Sequence, residues 1–111
     1  MEGVVISVDP GICGFGCTVR SERSGKRSVR IDITESGCTL IQKLADQLPD
    51  ITLQDLFMPL TKNLIFLSAE KAGCHLACSV PVAIVKASEV ALGLALPKDT
   101  AICFLNPEIY K

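Results

Sequence analysis

The chain has 111 residues and a mass of 11.9 kDa, enough for one domain spanning 1–111 with no second core. Apolar residues make up 49% and aromatics 5%, with no Trp, so the core must be packed from Val, Ile, Leu and Ala. A net charge of −1 and a pI near 5.7 argue against general nucleic-acid binding, and the longest run without a charged side chain, Ala72 to Val85, is too short at 14 residues to cross a bilayer.

Three segments near the start alternate apolar and polar residues. Val4, Ile6 and Val8 form the first apolar set, Phe15, Cys17 and Val19 the second, and Val29, Ile31 and Ile33 the third. A period of two predicts antiparallel strands with one face buried and the other wet. Asp9-Pro10-Gly11 and the Ser21 to Lys26 stretch supply turns between them. A helical stripe follows at Leu40, Ile41, Leu44, Ala45 and Leu48, stopped by Pro49. Thr52 and Asp55 have the spacing of a capping box for a short helix through Phe57. A further helix is expected from about Thr61 to Ala72, closed by Gly73. Pro81 suits the first turn of a greasy helix running to about Leu94, which should lie across the sheet. Ala101 to Leu105 reads as a last strand. The expected architecture is a two-layer α+β sandwich, with three N-terminal strands and a C-terminal strand in a mainly antiparallel sheet covered by helices.

The start, MEGVVISVD, lacks the basic and long apolar regions of a signal peptide, which predicts a cytoplasmic protein. Six cysteines in a reducing compartment point to metal binding, thiol redox chemistry or simple burial rather than to a disulfide framework. Cys13 and Cys17 lie around the first hairpin in GICGFGC, Cys38 at a strand-to-helix junction, and Cys74 and Cys78 beside the start of the greasy helix. A helix N-terminus favours the thiolate, so these positions predict lowered thiol pKa values. Neither C-x3-C pair has the C-x2-C spacing of common zinc knuckles, but three separate loops each offer a cysteine. The expected metal ligands are Cys13, Cys38, Cys74 and Cys78, with Cys17 and His75 in reserve. Cys103, among apolar strand neighbours, is expected in the core.

The order of a cysteine hairpin, a strand ending in SGC before a helix, and a late Cys-Ser opening a helix resembles iron–sulfur cluster scaffold proteins of the NifU/IscU type. VRIDITESGCTLIQKLADQL and CSVPVAIVKASEVAL are similar in pattern, and the likeness covers most of residues 11–95. It implies a small antiparallel sheet with helices on one face, and three ligand cysteines matching Cys13, Cys38 and Cys78. Phe15 stands where that family has an acid, and Ala77 where it has a His before the third cysteine. The chain also looks like small prokaryotic proteins with GICGF and C-x-VP segments, a likeness that implies no activity.

No phosphate-binding glycine motif or pair of catalytic carboxylates is evident, so the sequence does not point to an enzyme. Asp9 before Pro10 is read as a turn former. Arg20, Arg23, Lys26, Arg27 and Arg30 cluster on the second hairpin, as a solvated edge or as a docking surface for an acidic protein partner. The leading expectation is an iron–sulfur cluster or zinc held by loop cysteines. A thiol/disulfide redox protein, and a structural or interaction domain with buried free cysteines, are the alternatives.

Overall fold

The computed structural model describes residues 3–109. The three alternating segments become β1 (Val4–Val8), β2 (Cys17–Gly25) and β3 (Ser28–Thr34), and β4 (Ile51–Thr52) completes the sheet. The strand order is β1-β2-β3-β4, with each pair antiparallel. Helices α1 (Thr39–Gln47), α2 (Leu64–Ala72) and α3 (Val80–Ala91) form the second layer of this α+β fold. Among the described residues, no helix is long and apolar enough to cross a membrane.

Register explains how the layers meet. Ile6 stands opposite Val19 and Val19 opposite Ile33, while Val4 stands opposite Ser21 and Ser21 opposite Ile31. These side chains share the face beneath the helices, and Val19, Val29, Leu44, Ile51, Ile65 and Ile84 are fully enclosed. Each such aliphatic side chain contributes about 1.5–3 kcal/mol by leaving water. The greasy helix is α3, which packs across β1 and β2, while α1 packs on β3 and α2 on α1 and α3. Ser21 is the polar exception on the inner face. Its hydroxyl donates to the carbonyl of Ala87 at 2.9 Å, so a small side chain lets helix and sheet approach while its polar group stays satisfied.

The outer face carries charge in pairs. Arg20 lies opposite Asp32 and Glu22 opposite Arg30, the latter at 4.0 Å as an exposed ion pair. Arg23 turns to the helix layer, where its Nε donates to the carbonyl of Ala91 at 3.0 Å. The basic hairpin is therefore partly committed to its own fold.

Several sequence boundaries shift for local reasons. Strand β2 continues to Gly25 because residues 21–23 pair with β3, leaving Lys26 and Arg27 as the turn. Thr52 and Asp55 do form the reciprocal box: the Thr52 amide donates to Asp55 Oδ2 at 2.8 Å and the Asp55 amide to Thr52 Oγ1 at 3.3 Å. It opens only a 3-10 turn, Gln54–Phe57. The helix expected from Thr61 is divided, because Asn63 takes an extended conformation and its side chain caps the Ile65 amide, so α2 starts at Leu64. The helix α3 stops at Ala91, before Leu94, as Gly93 turns left-handed and the Leu94 amide reaches back to Glu89.

The largest correction concerns the last strand. Ala101–Leu105 pairs with nothing among the described residues, and the fourth strand is instead the two-residue β4. Cys103 is accordingly exposed rather than in the core, since a strand's apolar pattern buries nothing until a neighbouring strand receives it.

Candidate metal centre

The β1–β2 connection curves through Gly11 and Gly14, both left-handed at φ 89° and 73°, and the Gly14 amide donates to the Gly11 carbonyl at 3.0 Å. Between these glycines sits Cys13, exposed. Asp9 accepts from the Gly11 amide at 3.0 Å, the turn role its position before Pro10 suggests. Phe15 lies in this loop rather than in β2, and its ring packs so near Gly37 that a Cβ there would come within 3.2 Å. The first residue of β2 is Cys17, which points into the core at 5% exposure.

The second thiol arrives from the β3–α1 connection. Glu35 holds a left-handed φ of 62°, with its carboxylate accepting from the Thr18 hydroxyl at 3.1 Å. The hydroxyl of the next residue, Ser36, accepts from the Cys38 amide, and Cys38 is the N-cap of α1 at this strand-to-helix junction. The α2–α3 connection supplies the third group. Gly73 caps α2 in the left-handed region and the Cys74 amide returns to the Ala69 carbonyl, so Cys74 ends α2 instead of opening α3. A tight turn from His75 to Cys78 then leads into Ser79 and α3.

These three connections meet at one end of the sheet. Cys13, Cys38, Cys74 and Cys78, together with His75, line a single pocket of about 220 Å³, whose remaining walls include Pro10, Phe15, Leu40, Ile41 and Val80. All four expected cysteines are thus brought together, and reserve His75 with them. The other reserve residue, Cys17, lies behind the wall in the core, close enough to feel the charges of Cys78 and Cys38. The apolar walls were not singled out from sequence. Phe15 inside a glycine run was the available signal, hidden by its fit to a strand alternation.

The electrostatics differ from the sequence expectation. Burial pushes the Cys17, Cys74 and Cys78 thiols above the usual value of 9.0, and neighbouring thiolates push them further. The Val80 amide donates to Cys78 and opposes this, but the loss of hydration is the larger effect. Helix-terminal stabilisation is therefore present and outweighed, because the thiols are shielded from water and face one another. Beside Cys78, the buried Ser79 hydroxyl has no hydrogen-bond partner among the described residues. Among the described residues, no three His, Cys, Asp or Glu side chains close on one point tightly enough for a single metal ion. Zinc–sulfur bonds of about 2.3 Å would require the thiols to gather more closely than they stand.

The fold and this site define a small α+β protein with a cysteine-lined pocket where three loops converge. The chain belongs to DUF6951, a family of unknown function, by a match over residues 4–104. No curated protein and no solved structure matches it.

Proposed function

We propose that the protein binds an iron–sulfur cluster, or failing that zinc, through Cys13, Cys38, Cys74 and Cys78. The observation that supports this is the meeting of four thiols from three separate connections in one apolar-walled pocket. The resemblance to NifU/IscU-type scaffolds belongs to the same proposal, with Cys13, Cys38 and Cys78 as the matching ligands and Cys74 or His75 as the fourth donor. Phe15 and Ala77 replace the acid and the His of that pattern, so the proposal is cluster binding without transfer. When bound, a cluster would supply one-electron redox capacity, whereas zinc would fasten the three loops together. The chain's own part is to shield that group. Phe15, Leu40 and Ile41 exclude water on one side, while the half-buried Cys38, Cys74 and Cys78 limit access to the sulfurs.

A cytoplasmic setting accompanies this reading, because six free thiols suit a reducing compartment. Lys26 and Arg27 at the exposed hairpin turn, with Arg20, would receive an acidic protein partner. Raised thiol pKa values weigh against the redox alternative, since the protonated thiol is a poor nucleophile.

Anaerobic reconstitution with ferrous iron and sulfide, followed by metal analysis and a visible spectrum, tests the proposal. Brown absorbance with stoichiometric iron and sulfide is the expected result, and stoichiometric zinc in place of iron would select the closed zinc site. Binding of neither, with stability indifferent to Cys38→Ser and Cys78→Ser, would end the proposal.

A further inference from the structure

Everything after α3 is exposed from Gly93 to Ile109. Within that segment Ile102 and Phe104 are 90% and 102% exposed, and Leu96, Leu105 and Ile109 are open as well. Among the described residues, no hydrogen bond joins Asp99–Leu105 to the body. The segment also carries the molecule outward. The longest extent is 50 Å against 30 and 27 Å, and the radius of gyration is 14.6 Å where a compact chain of this length has about 13 Å. A polar linker could remain in water indefinitely, but a five-residue apolar stretch of strand-forming residues is poorly suited to do so.

The same fold leaves a place for such a stretch. β1 is the edge of the sheet, paired with β2 alone, so among the described residues one side of its backbone has no strand beside it. Its inner face is covered unevenly. Val8 is buried, whereas Val4 and Ile6, on the same face, are only half-covered beneath α3. On its outer face, Val5 stands about half exposed. A strand laid along this edge would complete the hydrogen-bond ladder and cover Val4 and Ile6 in one step.

We infer that the protein is a two-fold dimer in which Ala101–Leu105 of each copy pairs as a fifth strand with β1 of the other. The two five-residue segments match in length. Alternation in the incoming strand puts Ile102 and Phe104 on the layer of Ile6, and Ala101, Cys103 and Leu105 on the layer of Val5. The occupant is a second copy because the segment projects away from its own body, while every copy carries both the projecting strand and the open edge. Reciprocal exchange satisfies both at once and closes the assembly. The size is adequate. Two segments with their exposed Leu, Ile and Phe side chains bring on the order of 1,200 Å² or more of surface, within the range of specific interfaces.

Light scattering on size-exclusion chromatography, with reductant present, tests the assembly in the full chain, and hydrogen–deuterium exchange tests its geometry. A dimer at micromolar concentration with slowly exchanging amides in both Val4–Val8 and Ala101–Leu105 is expected. The double variant Ile102→Glu/Phe104→Glu should weaken the dimer about a hundredfold or more and expose the β1 amides, leaving the amides of β2 and α3 protected. Cys103→Ser should leave the dimer intact, which separates strand pairing from a disulfide. A monomeric full chain, a dimer that survives the double variant, or a dimer whose β1 edge exchanges freely would each overturn the inference.

Discussion

The two ends of α3 are built to opposite principles. At the C-terminal end side chains of the sheet are bonded to the helix: Ser21 donates to Ala87, Arg23 to Ala91, and Gly93 closes the helix in a left-handed turn. At the N-terminal end the buried Ser79 hydroxyl has no partner among the described residues, and four cysteines line one pocket with free thiols. The first end holds helix to sheet, so its groups are spent on the fold. The second leaves its thiols unspent, as the proposed binding site would need. The lesson is that one helix can serve as anchor and as wall of a site, provided the two tasks are kept a helix length apart.

This contrast can be broken by mutation. Ile84 sits on α3 between the two ends, fully enclosed, and Ile84→Ala should destabilise the protein by about 2–5 kcal/mol in urea unfolding. A smaller loss would mean that the core collapses around the gap and that α3 is less firmly seated than its burial indicates. Cys78→Ser, at the open end, should lower iron retained after anaerobic reconstitution by about tenfold or more, by comparison with second-layer and ligand losses at other metal sites. The metal-free variant should melt close to the metal-free parent. If it unfolds instead, the thiol is a packing group and the contrast between the ends disappears.

Ser21→Ala addresses the closed end. Losing the bond to Ala87 should cost about 1 kcal/mol in the metal-free protein and leave reconstituted iron unchanged. The smallest effect is expected with pH. Below about pH 9 the Cys17, Cys74 and Cys78 thiols are protonated in the folded and unfolded chain alike, and stability is at its full value. Above it, thiols of the unfolded chain ionise while those of the folded chain keep their protons. The melting temperature of metal-free, reduced protein should therefore fall as pH rises past 9, until the raised folded values are passed. Replacing Cys74 and Cys78 by Ser should flatten that decline.

Much of the architecture was legible because it rests on local pattern. Alternation at Val4–Val8 and Val29–Ile33 located strands whose inner faces are buried, and the stripe from Leu40 to Leu48 located α1. Ala101–Leu105, an unbroken apolar run, was placed in this sheet and pairs with no strand of it among the described residues, since a strand is completed by a neighbour that its own sequence does not reveal. The convergence of Cys13, Cys38, Cys74 and Cys78 was readable from their placement in turns. Their acidity was not. Helix termini are visible in sequence, whereas burial and mutual repulsion depend on which loops meet.

The loop that presents Cys13 has one more consequence. A Cβ added at Gly11 or Gly14 would meet nothing within 4 Å, yet both residues hold torsion angles that other residues adopt only with strain. The bend thus combines two left-handed backbone torsions with the Asp9 carboxylate on the Gly11 amide and the Phe15 ring against Gly37. Space alone would admit a larger residue at either glycine, so what bars one is the torsion, and the position of the exposed Cys13 is tied to two residues that have no side chain.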